Sequence, residues 1–141
     1  KNDREIPILY YILSSDKDFE KYMDIMLLNG FIPEKSVIKN DPSALMVTCS
    51  MGTINQIKYF HDKGHSFQLT DRKKIDSDPD DMDCFWYALY NPNSSNKKLN
   101  YILNNFETQK VLNGLNLVDV AIKVGRPDIL EMIYKKFPEL K

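Results

Sequence analysis

Short apolar stripes with helical spacing, arranged in pairs, are the feature that most constrains how this chain folds. Apolar residues recur three and four positions apart within residues 8–13, 22–27 and 99–103, which is the periodicity of an amphipathic helix. Helices of about eight to twelve residues alternate with loops, and each pair ends at a glycine or a loop. Strand-like alternation is nearly absent. The sequence therefore predicts an all-α fold.

The helix pairs recur at the spacing of a repeat protein. The anchor residues Ile8, Leu45, Phe85 and Val118 are 37, 40 and 33 residues apart. A helix pair cannot bury its apolar face alone, so each pair needs a neighbour and at least three are required for stability. We expect a single domain over residues 1–141, with units at about residues 4–34, 40–67, 80–107 and 113–138.

Residues 43–64, SALMVTCSMGTINQIKYFHDKG, resemble the ankyrin repeat. In that family T-P-L-H-x-A-A is followed by a glycine turn and a second helix that closes at another glycine. Leu45 stands at the leucine position, Gly52 at the turn and Gly64 at the closing position, although the T-P-L-H tetrapeptide is intact in no unit. The resemblance implies an ankyrin-repeat solenoid of about four divergent helix-turn-helix repeats. An array of tetratricopeptide repeats is the alternative fold.

Composition and motifs limit the chemistry and the class of partner. The formal charge is −1, without the broad basic surface that nucleic-acid binding requires, and no apolar run is long enough for a membrane helix. The chain contains no G-x-G-x-x-G, no phosphate-binding lysine loop and no G-x-S-x-G elbow. We therefore expect no catalytic residue, no cofactor, no small-molecule substrate, and no nucleic-acid or membrane partner.

The cysteines and histidines predict no metal site. Cys49 and Cys84 each lie in an apolar run, which is typical of buried, reduced thiols in a reducing intracellular compartment. Their separation offers no C-x-x-C pair for zinc. His61 and His65 are separated by the helix-ending Gly64 and are expected to be structural. The aspartate-rich segment 76–81 lacks the glycine and glutamate of an EF-hand loop.

The segment DSDPDDMDCFWYALY, residues 76–90, places five aspartates before an aromatic run that holds the single tryptophan. Asp83 is expected near a helix N-cap, where aspartate is favoured. Capping explains one or two aspartates, and the surplus favours a protein partner with a basic surface patch, with a solvated loop as the alternative. Tyrosine and tryptophan are common interface residues. We predict partner contacts at Tyr10, Asp80, Asp81, Asp83, Trp86, Tyr87 and Tyr90.

The ankyrin resemblance also orients these residues. In the register of that family, the side chains that face the concave groove are those of Tyr10, Val47, Tyr87 and Val120. Trp86 occupies the position of the family's histidine, half buried against the neighbouring finger.

The divergent repeats and the Lys-, Asn-, Asp- and Ile-rich composition resemble the C-terminal ankyrin domain of OspC-type bacterial type III secretion effectors. That resemblance implies a virulence function in the host cytosol, in which this chain captures a host protein such as an inflammatory caspase. A separate upstream domain would then modify arginine on that protein using NAD. The chain begins without methionine, and we expect it to be part of a longer protein. The alternative is an ankyrin adaptor or scaffold domain of a eukaryotic or viral protein with no associated enzyme.

Overall fold

The computed structural model describes residues 9, 11–13, 15–36, 42–69, 71 and 81–141, and its helices follow one another in pairs. Leu9 and residues 11–13 are helical and precede the longer helices. These are α1 (Phe19–Leu28), α2 (Ala44–Met51), α3 (Ile54–Asp62), α4 (Cys84–Leu89), α5 (Asn96–Asn105), α6 (Leu117–Lys123) and α7 (Leu130–Lys136). Short 3-10 helices cover Pro127–Ile129 and Pro138–Leu140. The fold is mostly helical, which confirms the predicted all-α class.

The helix pairs stack so that one core runs through all of them. Within the pairs, α2 packs on α3, α4 on α5 and α6 on α7. Between the pairs, α1 packs on α3, α3 on α5 and α5 on α7, while α2 packs along α4. The core that results contains fully buried side chains from every layer, among them Met23, Phe60, Phe85, Leu99 and Ile133.

Equivalent polar side chains begin the first helix of successive pairs. Ser43, Asp83 and Asn116 are the N-caps of α2, α4 and α6, and each accepts a hydrogen bond from a backbone N–H three residues later. Thr53 and Ser95 begin the second helices α3 and α5 in the same way. Such side chains are favoured because the first helical turn has N–H groups without an intrahelical acceptor. The prediction that Asp83 lies at a helix N-cap is confirmed.

A long polar side chain also links each helix pair to the preceding one. Gln56 and Lys98 occupy the same position in their helices, three residues after the N-cap, and Arg126 lies just before the last pair's second helix. The bonds run from Gln56 Nε2 to Leu13 O (3.2 Å), from Lys98 Nζ to Ser50 O (3.1 Å) and from Arg126 Nη1 to Ser94 O (2.6 Å). Repetition of this bond gives successive pairs a common mode of packing.

A small β-hairpin precedes α6. The near absence of strand-like alternation in the sequence did not indicate it, because its strands are only two residues long. Strands β1 (Val111–Leu112) and β2 (Leu115–Asn116) pair antiparallel. Asn113 and Gly114 between them have φ angles of 52° and 81°, which is the left-handed backbone that a type I′ hairpin turn requires. The Asn-Gly dipeptide between short apolar residues is the sequence signal that indicates this turn.

Cys49 and Cys84 form a disulfide bond between α2 and α4. Both cysteines are buried, as expected, but the prediction that they are reduced is wrong for this structure. Packing of α2 along α4 brings their Cα atoms to 5.3 Å although the residues are 35 positions apart, and that distance is one a disulfide can span. Sequence spacing alone does not reveal such a contact.

Lys98 is buried to an unusual degree for a lysine. Its side chain is 4% exposed, and its ammonium group donates to the carbonyl of Ser50, which also accepts a hydrogen bond from Asn91. Burial disfavours the charged form and lowers the pKa of Lys98 to about 8. The bond to Ser50 is therefore made at a cost in desolvation.

We expect the substitution Lys98→Met to raise the free energy of unfolding by about 1–2 kcal/mol at pH 7, because it removes a buried charge while the Ser50 carbonyl keeps Asn91 as donor. Folded Lys98 loses its proton near pH 8 and the unfolded residue near pH 10.5, so the parent protein gains stability across that window. The advantage of the variant should therefore shrink from pH 8 to 10.5 in denaturant titrations. The exposed neighbour Lys97→Met is the control, and a pH-independent difference would contradict the prediction.

Candidate protein-recognition surface

Gln109 fastens the segment that leads into α4. Its backbone N–H donates to Asp83 Oδ2 at 2.7 Å, and its carbonyl accepts from Trp86 Nε1 at 2.8 Å. Its side-chain amide donates to the carbonyl of Asp81 at 2.6 Å. Hydrogen bonds of main-chain and side-chain atoms thus join residues 81–86 to Gln109, which lies just before the hairpin.

Two of the predicted contact residues are structural. The side chain of Asp83 is 0% exposed because both carboxylate oxygens accept backbone N–H groups, one from Trp86 and one from Gln109. Trp86 is 1% exposed and its indole N–H is bonded within the chain. Neither side chain is available to a partner, which corrects the surface role predicted for Asp83 and the half-buried position predicted for Trp86.

The other predicted contact residues have different outcomes. Asp81 and Tyr90 are exposed and Tyr87 is half-buried, so these three lie at the surface as predicted. Tyr10 and Asp80 fall outside the described residues.

Val47 and Val120 do not line a groove. Both side chains are buried in the core between the helix pairs, which corrects the orientation predicted for them. The two valines are buried by packing of the pairs, whereas the longer Tyr87 at the corresponding position of α4 reaches partly into solvent.

The C-terminal ends of α2 and α4 form a partly exposed patch, which we call the α2–α4 patch and define by Ser50, Met51, Tyr87, Tyr90 and Asn91. Asn91 Nδ2 donates to the carbonyl of Ser50 at 2.6 Å and so holds the two helix ends side by side. Met51 and Tyr90, each next to one of the bonded residues, are 48% and 43% exposed. Sequence reasoning missed Met51, whose exposure depends on the packing of α2 against α4.

An acid-lined cleft lies between α1 and α3. Its volume is about 300 Å³, and its wall includes Asp16, Glu20, Lys58, Tyr59 and Asp62. Burial, followed by the hydrogen bond that the hydroxyl of Tyr59 donates to Asp24, raises the pKa of Tyr59, so that residue stays neutral at physiological pH. Three carboxylates against one lysine favour a positively charged group at this cleft.

The two histidines contact other side chains in the outer helix layer and its loops. His61 Nδ1 lies 2.9 Å from the hydroxyl of Tyr101, and His65 Nδ1 lies 2.6 Å from Glu34 Oε2. Within the described ranges, no group of three or more His, Cys, Asp or Glu side chains is placed to hold a metal ion. Nor does any described helix combine the length and the apolar character needed to cross a membrane.

Comparison with known proteins finds no family model, no curated protein and no solved structure that matches this chain.

We predict that Asp83→Asn lowers the free energy of unfolding by about 2–3 kcal/mol. An amide has one acceptor oxygen, so either the N–H of Trp86 or that of Gln109 would face an NH₂ group inside the protein. Asp81→Asn is the control, because Asp81 is exposed and bonds Gln109 through its backbone carbonyl. Urea denaturation followed by circular dichroism measures the free energy of unfolding of both variants. Equal effects of the two substitutions would show that the buried carboxylate is not needed.

Proposed function

We propose that this chain is a protein-recognition module built as an ankyrin-like stack of helix pairs. The recurrence of equivalent N-caps at Ser43, Asp83 and Asn116 supports a repeat origin. So does the β-hairpin that precedes the first helix of the last pair, since ankyrin repeats are joined by turns of this kind. A rigid stack of this type recognises partners with little change of shape.

The observation that carries the proposal is the α2–α4 patch. Met51 and Tyr90 expose apolar and aromatic surface at the adjoining ends of α2 and α4, and the bond between Ser50 and Asn91 links the residues next to them. Tyrosine contributes a large contact area at a small loss of side-chain entropy, and fixed neighbours reduce the ordering cost of binding. These properties favour a protein partner over a free small molecule.

The described charges support a partner with a basic surface. Asp81 is exposed in the segment just before α4, and the cleft between α1 and α3 adds Asp16, Glu20 and Asp62. Carboxylates at the rim of a contact surface increase the rate of association with a basic partner and orient it more than they increase affinity. We therefore assign the aromatic patch to affinity and the exposed acids to orientation.

The resemblance to OspC-type effectors makes an inflammatory caspase the first partner to test. In that arrangement this chain docks the host protein, and a separate domain performs the modification. An adaptor or scaffold function without an associated enzyme is the alternative, and it would use the same surface for a different partner.

The test compares Tyr90→Ala with Tyr22→Ala, because both tyrosines are 43% exposed and Tyr22 lies on α1, outside the α2–α4 patch. Binding of a purified inflammatory caspase is measured by biolayer interferometry, and other partners are sought by capture from human cell lysate. We expect Tyr90→Ala to weaken binding at least tenfold, about 1.4 kcal/mol, and Tyr22→Ala to change it less than twofold. Equal loss in the two variants would contradict the assignment of the patch.

A second comparison tests the role of charge. Asp81→Lys should slow association and make it less sensitive to salt, while the dissociation rate changes little. Asp83 is unsuitable for this test because its substitution disturbs the cap of α4. If Asp81→Lys leaves the association rate unchanged at low salt, the acidic residue does not orient the partner.

A further inference from the structure

The disulfide bond lies at one particular boundary of the stack. Cys49 is on α2, in the second helix pair, and Cys84 begins α4, in the third. The chain has no other cysteine, so the remaining boundaries between pairs depend on packing and hydrogen bonds. The disulfide therefore links two parts of the stack covalently. One part is formed by the described residues up to position 71, and the other by residues 81–141.

Non-covalent contacts cross this boundary both next to the disulfide and at a distance from it, where Phe67 stacks on Phe106 and the N–H of Glu107 donates to Gln68. The carbonyl of Ser50, which follows Cys49, accepts from both Asn91 and Lys98. The bond from Lys98 is made by a buried ammonium group whose desolvation opposes it. Farther away, His61 contacts Tyr101 across the outer helices. One of the hydrogen bonds at this boundary thus carries a desolvation cost, and the disulfide adds a covalent link beside the packing of α2 along α4.

We propose that the Cys49–Cys84 disulfide is a redox-dependent clamp that couples the two halves of the stack. In a repeat protein, cooperativity depends on the interfaces between neighbouring units. With the clamp closed, the halves cannot separate far even when the interface opens. With the clamp open, packing and hydrogen bonds alone hold the boundary between α2 and α4, and this boundary opens more often.

A dithiol reductant opens the clamp by a balanced exchange. One thiolate of the reductant attacks a sulfur of the disulfide and forms a mixed disulfide, and the other cysteine leaves as a thiolate that takes up a proton. The second thiol of the reductant then displaces the first cysteine. Two electrons and two protons pass to Cys49 and Cys84, and the reductant becomes a cyclic disulfide. Because both cysteines are buried, this reaction requires the boundary to open.

The experiment compares oxidised and dithiothreitol-reduced protein of the same sequence. Reduction should lower the thermal midpoint by about 10 °C. Hydrogen exchange measured by mass spectrometry should speed up at least tenfold in peptides covering α2 and α4, and by a smaller factor in those covering α7. Native protein should react with dithiothreitol at least a hundredfold more slowly than protein in urea, because the disulfide is buried.

The variant Cys84→Ala separates the clamp from other effects of the reductant. It should behave like the reduced parent and should not respond to dithiothreitol. Three results would overturn the proposal: an unchanged midpoint on reduction, an exchange rate that rises uniformly along the chain, or two titratable thiols that persist after the reduced protein is refolded from urea in the presence of oxidised glutathione.

Discussion

Each helix pair that the structure describes packs its apolar face against a neighbouring pair, and the rest of the structure depends on that stacking. The helices are short, and isolated helices of this length are marginal in water. Stability therefore comes from layers such as Met23, Phe60 and Leu99, which are fully enclosed because α1, α3 and α5 pack in succession. In such a stack, each helix pair is stabilised by its contacts with the neighbouring pairs. The boundaries between pairs can therefore differ in stability.

Buried polar groups set the register between the layers. Apolar surfaces slide past one another at little cost, whereas a hydrogen bond inside the protein must be made at one position. Gln56 and Lys98 each reach the main chain of the preceding pair from the same helical position, and Gln109 ties α4 to the segment before the hairpin. These bonds contribute specificity more clearly than they contribute stability, since Lys98 must lose most of its hydration to form one.

The same stacking creates the candidate recognition surface. Met51 and Tyr90 belong to different helix pairs and are 39 positions apart in sequence, and the ends of the helices that carry them are held together because Asn91 bonds to the carbonyl of Ser50. Two residues that resembled interface candidates are instead parts of the scaffold, because Asp83 caps α4 and Trp86 fills the core. A rigid cap and a packed indole beneath the surface help to hold Tyr87 and Tyr90 in place.

Local features could be predicted from the sequence alone. Helix starts at Ser43, Asp83 and Asn116 depend on residues three positions apart. The turn at Asn113–Gly114 is indicated by the Asn-Gly dipeptide itself, although strand alternation does not reveal it. The pairing of short amphipathic helices also follows from periodicity within each segment. Tertiary structure decided the rest, namely the Cys49–Cys84 bond, the burial of Trp86 and Lys98, and the bond between Asn91 and Ser50 that holds the ends of α2 and α4 together. Each of these depends on which faces of distant helices meet, and burial removes water from a side chain only after that contact has formed.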